Sequence, residues 1–208
     1  MDDLWYSLPT LTGDRIRLEP LAVEHAEGYL EAAATSADIF TWQSPPAGAL
    51  AQPATVDDAR RHIMSALAAR AKGMRFPYAV TEVISGRFLG TTSFAEPDPR
   101  LRCLTIGYTW LGRPWWGSGV NTEAKLLMLT FAFETLGAVR VQLVTDIRNV
   151  RAQTAIERLG AVREGVMRKH RRRADGSWRD TVLYSIVDDD WPAVRKGLQR
   201  TAITADPA

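Results

Sequence analysis

The segment Arg113-Pro114-Trp115-Trp116-Gly117-Ser118-Gly119-Val120-Asn121-Thr122-Glu123-Ala124 decides how the rest of the chain is read. It follows an apolar run that ends at Leu111 and opens a long helical pattern. Glycines at 117 and 119 let the backbone turn through positive φ and let a ligand come close. The first N–H groups of a helix have no partner within it, and the positive end of the helix dipole lies beside them. Such a turn is a site for phosphate, so the N–H groups near Gly117, Ser118, Gly119 and Val120 are candidate phosphate donors. A tight turn without a ligand would use the same glycines. A dinucleotide fingerprint is excluded because position 122 is Thr, not Gly, and no G-K-[ST] step makes a Walker loop.

Upstream of the turn, Arg15-Ile16-Arg17-Leu18 alternates as a strand. Val23 to Ala34 repeats apolar residues at helical spacing, and a loop rich in Pro and Gly spans Ser44 to Pro53. Thr55 reads as an N-cap, with Asp57 and Asp58 in the first turn of a helix to about Ala71. Strands are expected over Phe76 to Ile84, Arg87 to Phe94 and Leu101 to Leu111, the first two joined at Ser85-Gly86. Downstream, a helix from about Ser118 to Leu136 closes at Gly137. A strand over Val139 to Thr145, a helix over Val150 to Leu159 and strands near Val166 to Arg172 and Trp178 to Val187 follow. Trp191-Pro192 opens a last helix, and Thr201 to Ala208 reads as a fraying tail. Hairpins plus two helical crossovers give an α/β fold: a mixed, mostly antiparallel central sheet of about seven strands with flanking helices.

Composition narrows the function. The 208 residues suit one domain, and 46% hydrophobic with 24% charged residues is ordinary for a folded protein. Lys plus Arg number 26 against 24 Asp plus Glu, a balance that argues against coating nucleic acid or an anionic membrane. The single Cys103 cannot form an intrachain disulfide, and a reducing, cytoplasmic location is expected. His25, His62 and His170 lack metal-ligand spacing, so no metal is expected. No apolar run is long enough to span a membrane, and the acidic start at Asp2-Asp3 is unlike a signal peptide. Seven tryptophans are an unusual share of the aromatics.

Within this order of elements, the turn resembles that of the GCN5-related N-acetyltransferases, in which Q/R-x-x-G-x-G/A holds the pyrophosphate of acetyl-CoA. The likeness is greater to the RimJ/RimL branch, whose turn reads W-G-x-G-x-A-T-E-A; here it is Trp116-Gly117-Ser118-Gly119-Val120-Asn121-Thr122-Glu123-Ala124. Ile106-Gly107-Tyr108 before the turn, Asn149-Val150-Arg151-Ala152-Gln153 against the family's N-x-x-S, and Leu159-Gly160-Ala161 against L-G-F extend the match. So do Asp175-Gly176 and Arg179-Asp180 in the late hairpin. The resemblance covers about Gly13 to Val187. It implies the acyl-CoA N-acyltransferase fold over residues 13–190, with 191–208 as a C-terminal helix and tail. It also implies acetyl-CoA as acyl donor and a primary amine as acceptor. Trp110, Leu111, Trp116, Gly117, Ser118, Gly119, Val120, Asn121, Thr122 and Asn149 become the expected cofactor-binding residues. Three departures stand out. Asn121 replaces a small residue, Ala152 stands where relatives have Ser, and Ile156 stands where many have a Tyr that protonates the leaving thiolate.

Acetyl transfer requires a neutral amine, a polarised thioester oxygen and a reprotonated thiolate. A backbone N–H on the strand before the turn can polarise the oxygen, and positioning alone can supply much of the rate. Asn149 is the one residue named as a catalytic candidate: the resemblance places it against the pantetheine arm or an ordered water, and capping of the next helix is its other reading. Glu82, Glu96, Asp98 and His170 could take the amine proton, and each also reads as a solvated surface group; Thr105 stands where relatives carry Glu. Glu123 reads as a partner of the helix dipole. The run Arg168 to Arg173 reads as a solvated hairpin face. The leading expectation is an acetyl-CoA-dependent N-acetyltransferase acting by direct attack on a protein N-terminus or a small-molecule amine. Alternatives are an acyl-CoA-binding protein that has lost catalysis and a transferase for a longer acyl group such as succinyl. Monomer and homodimer both remain open.

Overall fold

The structure, a computed structural model, describes residues 2–35, 37–42, 51–173 and 175–204. Its centre is a strand buried on both faces, β3 (Arg75–Glu82). Phe76, Tyr78 and Val80 join one apolar core while Ala79 joins another, as the period of two requires. The first core is closed by α4 (Val120–Thr130) and α6 (Trp191–Thr204). The second is closed by α2 (Ala26–Ala34) and α3 (Val56–Ala71). Each fully buried side chain such as Met128 or Leu129 contributes about 1.5–3 kcal/mol.

Around β3 lie β1 (Leu11–Thr12), β2 (Ile16–Pro20), β4 (Phe88–Asp98), β5 (Cys103–Leu111), β6 (Arg140–Asp146), β7 (Val162–Arg172) and β8 (Trp178–Val187). Their order in the eight-stranded sheet is β1-β2-β3-β4-β5-β6-β8-β7. All neighbours are antiparallel except β5 and β6. That parallel pair needs a crossover, which α4 supplies. The short α1 (Asp2–Trp5) carries Trp5 into the first core, and α5 (Val150–Arg158) follows β6.

The mixed, mostly antiparallel sheet is as expected; several boundaries differ for local reasons. The sheet gains β1, whose two residues are too few to carry a periodicity. α4 starts at Val120 rather than Ser118, because Gly119 at φ 84 is its N-cap, and it passes into a π turn over Phe131–Thr135. β7 begins at Val162, four residues early; it is a largely exposed edge strand without a readable apolar face. α6 continues to Thr204, so 201–204 is helical rather than frayed. Of the expected Ser44–Pro53 loop, 44–50 lie outside the described residues, as do 205–208 of the tail.

Two irregularities open the sheet. The β5–β6 pairing runs only from Cys103↔Arg140 to Ile106↔Leu143, although both strands continue. Opposite it, the β4–β5 register slips between Thr91 and Ser93, leaving Tyr108 in a bulge at φ 52. A bulge bends its strand, and from Gly107 onward the β5 edge toward β6 has no strand partner.

Candidate active site

The glycine turn lies at the end of β5. Gly117 and Gly119 take φ 77 and 84, left-handed values that suit glycine. The Ser118 hydroxyl donates to Trp115 O at 2.8 Å, and Arg15 Nη1 donates to Ser118 O at 2.9 Å. The Trp116 indole donates to Leu111 O at 2.8 Å, fixing its ring beside the turn. The Arg151 guanidinium lies 3.5 Å from the centre of that ring. Glu123 is buried and accepts from the N–H groups of Arg15 (2.9 Å) and Ile16 (3.4 Å). It is thus a brace between α4 and the start of β2, and Gly13 leaves room for its carboxylate. Glu123 N–H donates to Gly119 O, so the N–H groups of Val120, Asn121 and Thr122 precede the first helical bond.

From this turn a cleft of about 480 Å³ runs into the gap between β5 and β6. Of the expected cofactor residues, Trp110, Leu111, Trp116, Gly117, Gly119, Asn121, Thr122 and Asn149 line it. Ser118 and Val120 do not; the Val120 side chain is in the core. Asn149 does what both of its readings require: its Oδ1 accepts from Ala152 N–H at 3.1 Å as the cap of α5, and it borders the cleft. Trp110 lines the cleft from β5 but is itself largely buried. Its ring is packed in the second core, 4.8 Å from that of Tyr29 and edge-on to it. Ala152 and Ile156 also line the cleft.

At the far end the four proton-acceptor candidates separate. Only Glu96 borders the cleft. A register slip between Ala95 and Asp98 and φ 51 at Glu96 turn it out of β4. Its Oε2 accepts from the Thr105 hydroxyl at 3.5 Å, and its Oε1 is 3.6 Å from Arg171 Nη2. A carboxylate from β4 therefore stands beside Thr105 on β5. Glu82 accepts from the Ser85 hydroxyl, Asp98 accepts from the N–H groups of Arg100 and Leu101, and His170 is exposed on β7. Burial, with Arg171 and Arg179 beside it, pushes the His170 pKa down. Burial pushes the Cys103 thiol up, which disfavours its thiolate.

The sequence reading missed three kinds of residue. Lys125 is buried in α4, borders the cleft, and donates to the Thr92 and Thr109 hydroxyls at 3.0 and 2.9 Å. Arg151, Arg158, Arg171 and Arg179 add positive charge along the cleft. Arg15 tethers the turn from β2's end. The basic run on β7 is largely paired: Arg171 with Glu96, Arg172 over the Trp178 ring, and neighbouring Arg173 with buried Asp146 at 2.6 and 3.0 Å. Among the described residues no His, Cys, Asp and Glu group could hold a metal ion, and no helix is long and apolar enough to cross a membrane.

A sheet splayed at its one parallel pair, with a glycine turn opening the crossover helix, defines an acyl-CoA transferase-type fold. Residues 15–162 match the model of the Acetyltransferase (GNAT) domain, and the chain belongs to that family. It is an N-acetyltransferase in the general sense of that family. The Bacillus subtilis (strain 168) protein named "Probable N-acetyltransferase YjcK" is 28% identical over 181 residues, 86% of this chain and 98% of the relative. A GCN5-related N-acetyltransferase from Brucella melitensis superposes with TM-score 0.85 at 26% identity, covering 93% of this chain and 85% of that one. Mycobacterium smegmatis RimJ, solved with CoA-disulfide, shares the fold with TM-score 0.79 at 20% identity, covering 94% and 95%.

Proposed function

We propose that this protein transfers an acetyl group from acetyl-CoA to a primary amine by direct attack, without an acyl-enzyme. The observation that carries the reading is the continuity of one cleft from the glycine turn, through the β5–β6 gap, to Glu96. The pyrophosphate would accept hydrogen bonds from the N–H groups of Gly119 to Thr122, with the helix dipole behind them. The pantetheine arm would lie in the gap beside Leu111 and Asn149. The unpaired β5 edge after Ile106 would offer N–H to the thioester oxygen, stabilising the oxyanion that forms on attack. The likeness in fold to RimJ, which binds CoA-disulfide, supports the same donor class.

The amine would approach past Thr105. An ordinary lysine-type amine is charged at neutral pH, with a pKa of ~10.4, and an α-amino group has ~7.7–8.0. Glu96 would take the proton, directly or through water. A protein N-terminus is the acceptor class that loses its proton most readily, and a small-molecule amine is the other. Nothing in this chemistry calls for a metal, a nucleic acid or a membrane.

Replacing Glu96 by Gln tests the assignment. Acetyl-CoA affinity, measured by calorimetry, should stay within about twofold, while amine-dependent thiol release should fall about a hundredfold. An unchanged rate would remove Glu96 as the proton acceptor. A parallel series with succinyl-CoA separates the longer-acyl reading, which a preference for acetyl-CoA eliminates.

A further inference from the structure

The proposed reaction leaves the departing thiolate without a proton source, because Ala152 and Ile156 stand where relatives carry hydroxyls. Lys125 and Thr109 border the same cleft. Lys125 is 4% exposed, while Thr109 is exposed. The amine donates to Thr109 Oγ1 at 2.9 Å and to Thr92 Oγ1 at 3.0 Å, and the two hydroxyls are 2.8 Å apart. Thr109 follows the bulged Tyr108 and precedes Trp110, in the stretch of β5 that β6 does not cover. The groups facing Lys125 are the hydroxyls of Thr92 on β4 and Thr109 on β5, with the Met128 thioether 3.4 Å from Thr92. Glu96, Arg151, Arg158, Arg171 and Arg179 share the cleft; Glu96 pairs with Arg171, and among the described residues no carboxylate pairs with Lys125. Glu123, on the same helix, is turned to the N–H groups of Arg15 and Ile16.

A buried amine with no carboxylate partner is costly, and a purely packing role is better filled by Met or Leu. We propose that Thr109 and Lys125 form the proton-donating pair of this enzyme, the Thr109 hydroxyl protonating the CoA thiolate and taking a proton from the Lys125 ammonium. The inference rests on the reading of the cleft as a CoA site. In the balanced step the acceptor nitrogen bonds to the carbonyl carbon and gives its proton to Glu96. The C–S bond breaks with its electron pair on sulfur, sulfur takes the Thr109 proton, and Thr109 takes one from Lys125. Glu96 then loses its proton to solvent and solvent recharges Lys125, and the products are the amide and free CoA. Burial alone pushes the Lys125 pKa down to about 7. Against a thiol pKa of ~8.5 the proton transfer is downhill.

The test uses the full chain and CoA itself. CoA affinity is measured by calorimetry, and thiol release is followed across pH, in wild type and in Lys125→Met. Lys125→Met should bind CoA within about twofold. Its thiol release should fall at least about tenfold, as should that of Thr109→Val, and Thr109→Ser should restore it. The wild-type rate should decline as pH rises above the Lys125 pKa, and that decline should vanish in Lys125→Met. Thermal unfolding checks folding. Lys125→Met should be the more stable protein below pH ~7, where the wild type must bury the ammonium, with the difference shrinking toward pH ~10.4. A decline of rate with rising pH that persists unchanged in Lys125→Met, with CoA still bound, overturns the pair. Failure of the wild type to bind CoA removes the cleft reading and the pair with it.

Discussion

Gly119 has φ 84 at the N-cap of α4, a conformation that costs an ordinary residue about 1–2 kcal/mol and a β-branched one more. Gly119→Val should therefore lower acetyl-CoA affinity at least about tenfold by calorimetry, with a smaller loss in thermal stability. Asp146 shows a second kind of constraint. Burial pushes its pKa up, but hydrogen bonds from Arg173 and the Arg148 N–H outweigh that and hold the carboxyl below the usual range. A lowered native pKa contributes stability above the unfolded value of ~3.9 that is lost as pH falls through the native one. Asp146→Asn should cost about 3 kcal/mol near neutral pH and flatten the acid limb of stability, read by denaturant unfolding across pH. At this scale the glycines and Asn149 were legible because backbone conformation and capping are local. Lys125 was not. In sequence it is one helical lysine among surface charges, and only the strands laid over α4 bury it.

The decisive element is β5. Its bulge, the short pairing with β6 and the glycine turn together create the cleft. Gly90 on β4 lets β5 come close: at φ 157, a Cβ there would overlap the Trp110 carbonyl oxygen and crowd Leu111 Cα. Those contacts are backbone and cannot swing away. Gly90→Ala should cost about 1–3 kcal/mol in denaturant unfolding and weaken CoA binding, because Trp110 and Leu111 border the cleft. Element types were legible wherever one face is apolar, as in α2 and β2. The bulges at Tyr108 and Glu96 were not, because register depends on both strands of a pair. Thus Glu96 could be named as a candidate carboxylate, but its approach to Thr105 could not be read from its own strand.

Across the whole molecule, the tryptophans divide by role. Trp42, Trp110, Trp115 and Trp116 border the cleft, Trp110 also filling the second core, while Trp5 and Trp191 fill the first and Trp178 is exposed on β8. The near balance of charge conceals a cleft lined by Lys125 and four arginines against Glu96, a lining suited to an anionic donor. The acceptor is less legible, because the groups around Glu96 come from separate elements, β4, β5, β7 and β8. The central claim is amine-dependent acetyl transfer through this cleft. Thiol release from acetyl-CoA, measured with and without a panel of small amines and N-terminal peptides, tests it most directly. Saturable, amine-dependent release by the wild type that is lost in Gly119→Val is the predicted result; acetyl-CoA binding with no release on any amine would contradict it.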